Sequence, residues 1–193
     1  MTRLVVLVSG NGSNLQAILD ACAAGELAAQ VVAVISDQPD AFGLQRAHKA
    51  NVPACVQPKL TTQDRAAYDT ELAATVAAFN PDWIVLAGWM RLLSSNFLDR
   101  FPERVINLHP ALPGSFPGTH AIERALAAYQ HGEVAHTGVM VHLVPDVGVD
   151  SGPVLAQEVV SIQPSDTLAT LQARVHATEH RILVHTLNQL CTS

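Results

Sequence analysis

The chain has 193 residues, 49% of them hydrophobic and 15% charged, which predicts one domain with a sizeable core and excludes intrinsic disorder. Its 17 acidic and 11 basic residues give a net charge of −6, which disfavours a nucleic-acid partner. No run approaches the roughly 18 apolar residues of a membrane span, and three cysteines without paired spacing are typical of reduced thiols. We therefore expect a cytoplasmic chain without a membrane partner.

Apolar runs alternate with helix-periodic stretches from the start of the chain. The predicted strands without a polar face are 4–8, 31–35, 83–87 and 105–108. The predicted helices are 14–24, 64–79, 119–131 and 168–190. Strands that are apolar on both faces and joined by helices indicate a parallel sheet with right-handed crossovers.

The second half of the chain has a different pattern. Alternating side chains over 139–144 predict a long strand, which we expect to be antiparallel, and the run 154–161 is expected to pair nearby. The fold class is therefore α/β: a doubly wound, mostly parallel sheet in three α/β/α layers, forming one domain over 1–193.

A glycine-rich segment, SGNGSNL at 9–15, follows the first strand and opens a helix. Gly10 and Gly12 let the backbone approach a ligand, and the first N–H groups of the helix point at it. The dinucleotide pattern GxGxxG fails at Leu15, and the P-loop pattern fails because no lysine follows. The segment favours a phosphate monoester, but a glycine turn without a ligand fits the spacing equally well.

Asn107 and His109 stand at the end of the predicted strand 105–108, directly before Pro110. Because strand side chains alternate and proline cannot continue a central strand, both residues face one side at the carboxyl end. Open α/β sheets bind ligands at this edge. An amide donor beside an imidazole suits acyl transfer, since one polarises a carbonyl and the other moves a proton.

The segment 145–152, PDVGVDSG, holds two aspartates. A calcium loop is excluded, because the required glycine and closing glutamate are missing. Asp146 follows a proline and is typical of a turn. Asp150 is therefore the better candidate to pair with His109.

The segment HATEH at 176–180 matches the HxxEH zinc motif, but too little chain follows His180 to supply a distant third ligand. The helical stripe places Glu179 on the buried face, where its carboxylate needs a partner. An ion pair within the helix and a contact with a substrate amine both remain open. Arg65 and Arg91, considered alone, are predicted to be solvated surface charges.

Five segments, in order and at matching distances, resemble the phosphoribosylglycinamide formyltransferases, which are folate-dependent enzymes of purine synthesis. They are SGNGSNLQAI, GWMRLL, NLHPALPG, VDSGPVLAQ and ARVHATEH, and the resemblance runs from residue 4 to about residue 190. The resemblance implies a Rossmann-like formyltransferase fold, with a phosphate- and nucleotide-binding half over 1–90 and a catalytic, folate-binding half over 91–193. It implies formyl transfer from 10-formyltetrahydrofolate to the amine of 5-phosphoribosylglycinamide, through a tetrahedral intermediate and without a metal.

The same resemblance implies roles for individual residues. The catalytic residues would be Asn107, His109 and Asp150. The residues that bind phosphoribosylglycinamide would be Gly12, Ser13, Asn14 and Glu179. The folate-binding residues would be Arg65, Met90, Arg91, Leu92, Leu93 and Asn107. One loop departs from the family, since HPALPG stands where HPSLLP is frequent, so contacts of that loop are not carried over.

Other functions share some of these features. The 10-formyltetrahydrofolate hydrolases and methionyl-tRNA formyltransferases share the Asn-x-His and Asp elements, but they are expected to carry a further domain for which this chain has no room. An NAD-dependent oxidoreductase would use the Gly10 turn and place Asp37 on a ribose. A nucleotide-binding module without activity would not need His109. The protein is expected to be a monomer or a homodimer that binds small molecules.

Overall fold

The computed structural model describes residues 1–192, and in it a seven-stranded sheet is covered by helices on both faces. The strands are β1 Thr2–Val8, β2 Ala29–Ser36, β3 Ala54–Val56, β4 Trp83–Leu86, β5 Val105–His109, β6 His136–Leu143 and β7 Val154–Ser161. The helices are α1 Ser13–Ala24, α2 Phe42–Lys49, α3 Arg65–Ala77, α4 Ser95–Leu98, α5 Ala121–Gln130 and α6 Leu168–Thr192.

The strand order is β3-β2-β1-β4-β5-β6-β7, and the first five strands in this order are parallel. Strand β6 is antiparallel to β5, and β7 is antiparallel to β6. This confirms the predicted doubly wound, mostly parallel sheet and the antiparallel strand in the second half. The connections diverge between β1 and β4, and sheets of this kind bind ligands at the carboxyl ends beside such a point.

Two apolar cores lie on opposite faces of the sheet, as three α/β/α layers require. Along β1 the side chains alternate between them: Val6 belongs to the first core and Leu7 to the second. Helices α1, α5 and α6 cover the first core, and α3 and α4 cover the second. The long apolar runs of the sequence are therefore central strands that are buried on both sides.

Three short elements were not predicted, namely α2, β3 and α4. Helix α2 buries only Gly43, Leu44 and Ala47, so its apolar pattern is too sparse to detect. Strand β3 has 3 residues and α4 has 4. Helix α5 begins two residues later than predicted, because His120 has a left-handed φ of 57°. Among the described helices, none combines the length and hydropathy that a membrane crossing needs.

Candidate active site

A cleft of about 700 Å³ opens at the carboxyl ends of β4 and β5. One wall carries the apolar side chains of Met90 and Leu92, which are 66% and 51% exposed. The loop after β6 adds Val147 and Val149, which are exposed as well. Exposed apolar side chains gathered around one concavity indicate a ligand with a large apolar part.

Asn107, His109 and Asp150 meet at the floor of this cleft. Alternation along β5 turns Asn107 and His109 towards the cleft, while Ile106 and Leu108 pack into the core. The loop after β6 brings Asp150 to them, with Oδ2 3.3 Å from His109 Nδ1. Asp150 Oδ1 accepts a hydrogen bond from Asn107 Nδ2 at 3.1 Å. The structure thus brings the three predicted catalytic residues together.

His142 is a fourth member of this group that the sequence analysis did not select. It lies directly opposite Asn107 in the β5–β6 pairing and is 2% exposed. Its Nδ1 lies 2.8 Å from the carbonyl of Leu143, which can only accept, so Nδ1 carries a proton. In the neutral ring Nε2 is then an acceptor, and it lies 3.2 Å from Asn107 Nδ2 and 3.6 Å from Asp150 Oδ1.

Burial and charge act in opposite directions on the two titratable groups of the trio. Burial lowers the pKa of His109 below its usual value, and the Asp150 carboxylate and the Phe116 carbonyl offset this only in part. Burial alone would raise the pKa of Asp150. The N–H of Gly118 and the charge of His109 act against burial, and the pKa of Asp150 lies below its usual value. Asp150 is therefore ionised at neutral pH.

The segment 116–118 contacts both ends of the His109–Asp150 pair. Phe116 O lies 3.1 Å from His109 Nε2, and the N–H of Gly118 donates to Asp150 Oδ2 at 2.8 Å. Each ring nitrogen of His109 therefore faces an acceptor. Both amide protons of Asn107 are also engaged, by Asp150 and His142.

The glycine-rich segment lies at the start of α1, outside the lining of the cleft. Gly12 has a φ of 72°, and a Cβ there would lie 2.7 Å from the Cα of Gly43 in α2. Arg46, also in α2, donates to the backbone and side-chain oxygens of Asn11. Helix α2, which the sequence did not reveal, thus fixes this segment and places a guanidinium beside it.

Ser13 and Asn14 open α1 immediately after Gly12. Asn14 Oδ1 is buried and has no protein partner, so this end of the helix carries an unsatisfied polar atom. The N–H groups of a first helical turn have no partner within the helix either. The predicted phosphate-binding residues therefore lie together at one helix terminus.

Glu179 is 4% exposed and accepts from His176 Nδ1 at 2.7 Å. This hydrogen bond raises the pKa of His176, as expected for an ion pair within the helix. His176 lines the cleft, whereas Glu179 is not among its lining residues. Within residues 1–192 no group of three or more His, Cys, Asp or Glu side chains could hold a metal ion.

The interpretation of Arg91 as a solvated surface charge is wrong. Its Nε lies 2.7 Å from Oδ2 of Asp37, a residue that is 3% exposed, so the pair is partly buried. Asp37 Oδ1 also accepts from Ser9 Oγ at 2.6 Å. Both carboxylate oxygens are thus engaged, which argues against the ribose contact of an NAD site. Arg65 lies outside the cleft lining and donates to the carbonyl of Leu93 at 2.7 Å.

Comparisons with known proteins agree on one family. A family model described as formyl transferase matches residues 2–187. The Schizosaccharomyces pombe phosphoribosylglycinamide formyltransferase is 45% identical over 205 residues, covering 100% of this chain and 98% of that protein. The Escherichia coli phosphoribosylglycinamide formyltransferase is 42% identical, and the match covers 93% of this chain and 82% of that protein. The crystal structure of glycinamide ribonucleotide transformylase 1 from Symbiobacterium toebii superimposes on this chain with a TM-score of 0.93 at 41% identity. The superposition covers 100% of this chain and 88% of the other.

Replacement of Asp150 by Asn is expected to lower the pKa of His109 further. The carboxylate favours the imidazolium, so its removal leaves burial less opposed. NMR titration of the imidazole in the ligand-free protein measures this shift. Asp146→Asn is the matched control, because Asp146 lines the same cleft but bonds to the N–H of Gly148. Equal shifts in the two variants would contradict the assignment.

Gly12→Ala is expected to destabilise the fold, whereas Gly10→Ala is not. A left-handed conformation costs a residue with a Cβ about 1–2 kcal/mol, and the added methyl collides with Gly43 as well. A Cβ at Gly10 meets nothing within 4 Å. Urea unfolding of both variants measures the difference. Equal stabilities would show that α2 does not constrain this segment.

Proposed function

The chain belongs to the formyl transferase family, and we propose that its cleft transfers a formyl group from 10-formyltetrahydrofolate to the amine of 5-phosphoribosylglycinamide. The chain is an enzyme of purine synthesis, and the folate is its co-substrate. The observation that supports this site most strongly is the convergence of Asn107, His109 and Asp150 at the floor of the cleft.

The cleft suits the folate in shape and polarity. A flat pterin ring needs apolar walls, and Met90 and Leu92 face Val147 and Val149 across a volume of about 700 Å³. We assign the folate subsite to the segment 90–93 together with Asn107. Arg91 and Arg65 act through their bonds to Asp37 and to the Leu93 carbonyl, which hold this wall in place.

The ribonucleotide is assigned to the region between the cleft and the start of α1. Its phosphate would lie on the N–H groups of Gly12, Ser13 and Asn14, where a helix terminus favours an anion. Its amine would approach the cleft past His176, behind which the carboxylate of Glu179 would supply a negative charge. In this assignment the half 1–90 binds the phosphate, and the half 91–193 performs the chemistry.

The trio performs the transfer by stabilising charge on one oxygen. As the amine forms its bond to the formyl carbon, the carbonyl oxygen becomes negative, and donors from Asn107 and protonated His109 stabilise it. Asp150 keeps the imidazole oriented and favours its charged form. Collapse restores the C=O bond and breaks the bond to the folate nitrogen, which takes up the proton that the amine loses.

Asn107 and His109 already face acceptors within the protein. The substrate oxygen must therefore replace one protein acceptor of each side chain. Asn107 donates to a carboxylate and to the imidazole of His142. The imidazole is the weaker acceptor, so we expect the substrate oxygen to take its place. The bond to Asp150 then remains and keeps the amide oriented.

An assay with 10-formylfolate and the ribonucleotide tests the function, because deformylation changes the absorbance of the folate. We expect deformylation only when both substrates are present. Deformylation without the ribonucleotide would favour a hydrolase. No turnover, with phosphate ligands bound equally well by His109→Ala, would favour a binding module. We place the enzyme in the cytoplasm, acting as a monomer or homodimer without nucleic acid.

Asn107→Ala is expected to lower kcat by a factor of about 10² to 10³, because an oxyanion donor contributes about 2.7–4 kcal/mol in comparable sites. Asn96→Ala is the control, since Asn96 is exposed and donates to Thr70 Oγ1 on the surface of α3, away from the cleft. Steady-state kinetics and urea unfolding separate catalysis from folding. A near wild-type kcat for Asn107→Ala would show that the role is misassigned.

A further inference from the structure

We propose that Arg124, on α5, is a positioning residue for His109 and Asp150, and that it acts by fixing the segment 116–118 against both of them. This inference rests on the formyl-transfer function proposed for the cleft. Arg124 is exposed on the helix surface and belongs to neither of the proposed substrate subsites.

One nitrogen of Arg124 holds two neighbouring carbonyls. Its Nη2 donates to Phe116 O and to Pro117 O, each at 2.6 Å. The same Phe116 oxygen lies 3.1 Å from His109 Nε2. The next N–H along, that of Gly118, donates to Asp150 at 2.8 Å. Three consecutive residues thus connect the guanidinium to both members of the pair.

The conformation of this segment needs outside support. Phe116 and His120 have φ values of 47° and 57°, in the left-handed region that residues with a Cβ rarely adopt. The Phe116 side chain packs against the first core, but the other hydrogen bonds of 116–118 given by the structure go to His109 and Asp150, the groups that have to be placed. Arg124 supplies an anchor from a different element, since its neighbours Ala125 and Leu126 in α5 are buried in the core.

Four groups face the imidazole of His109, and two of them depend on Arg124. Asp150 approaches from the loop after β6, His142 from β6, the Phe116 carbonyl from the segment 116–118, and the guanidinium from α5. The carbonyl raises the pKa of His109, and the positive charge of Arg124 lowers it by less. If Arg124 acts by positioning the carbonyl, its replacement lowers the pKa of His109. If it acts only through its charge, its replacement raises that pKa.

Arg124→Met removes both the charge and the donors while keeping a long side chain. We expect the segment 116–118 to loosen, the carbonyl to leave Nε2, and the pKa of His109 to fall. Because the reaction uses the imidazolium and the Phe116 carbonyl lies on Nε2 in the free enzyme, the fall of kcat/KM at high pH would begin at a lower pH. At neutral pH we expect kcat to fall about tenfold, below the roughly 100-fold that a 1 Å misplacement can cost.

Arg124→Lys keeps the charge and can donate from one nitrogen, as Nη2 does here, so we expect it to restore part of the wild-type profile. Arg3→Met is the matched control. Arg3 also holds two carbonyls, those of Phe79 and Asn80, beside a left-handed φ of 44° at Asn80, but it lies at the start of β1 away from the cleft. We expect Arg3→Met to lose stability with an unchanged pH profile.

Two measurements decide the outcome: NMR titration of the His109 ring in the ligand-free protein, and the pH profile of kcat/KM. A raised pKa in Arg124→Met would overturn the proposal and leave only a charge effect. An unchanged pKa and kcat would overturn it too, as would a higher KM alone, which would assign Arg124 to substrate binding. If the wild type transferred no formyl group, the proposed function would be wrong. The NMR titration would still show whether Arg124 positions the segment 116–118 against His109.

Discussion

The site depends on one buried carboxylate that contacts four different groups. The Asp150 side chain is 10% exposed and accepts hydrogen bonds from Asn107 Nδ2 and from the N–H of Gly118. It also lies 3.3 Å from His109 Nδ1 and 3.6 Å from His142 Nε2. A carboxylate with so little water around it is stable only when its lone pairs are satisfied by the protein. The same contacts fix the orientation of the Asn107 amide and the His109 imidazole. The interactions that stabilise the buried carboxylate are therefore also those that set the catalytic geometry.

The sheet topology explains why these groups can meet. Parallel strands alone would place polar residues in a row along one edge. The antiparallel β6 instead runs back along β5 from its carboxyl end, with His142 opposite Asn107. The loop that follows β6 then brings Asp150 to Asn107 and His109. A left-handed φ of 49° at Asp150 turns the chain back at that point.

Much of this arrangement was predictable, because it follows from local patterns. Alternation along β5 gave the orientation of Asn107 and His109, and the uninterrupted apolar runs gave the central strands. His142 was not selected, because its role comes from cross-strand register, although a histidine within an apolar strand is a detectable signal. Arg46 and Arg91 bind partners 35 and 54 residues away, and Arg124 binds two backbone carbonyls across a loop. No periodicity of the sequence reveals such partners. The short α2 was missed for lack of a continuous apolar stripe.

Ser9 connects the two regions assigned to the two substrates. Its hydroxyl donates to Asp37 at 2.6 Å and accepts from the backbone N–H of Met90 at 2.9 Å, while Asp37 binds Arg91. The residue that begins the glycine-rich segment is therefore bridged, through two short bonds, to the apolar wall of the cleft. Removal of the Ser9 hydroxyl would leave the buried Asp37 with one donor fewer and the Met90 N–H without its acceptor, so a single substitution would disturb both regions.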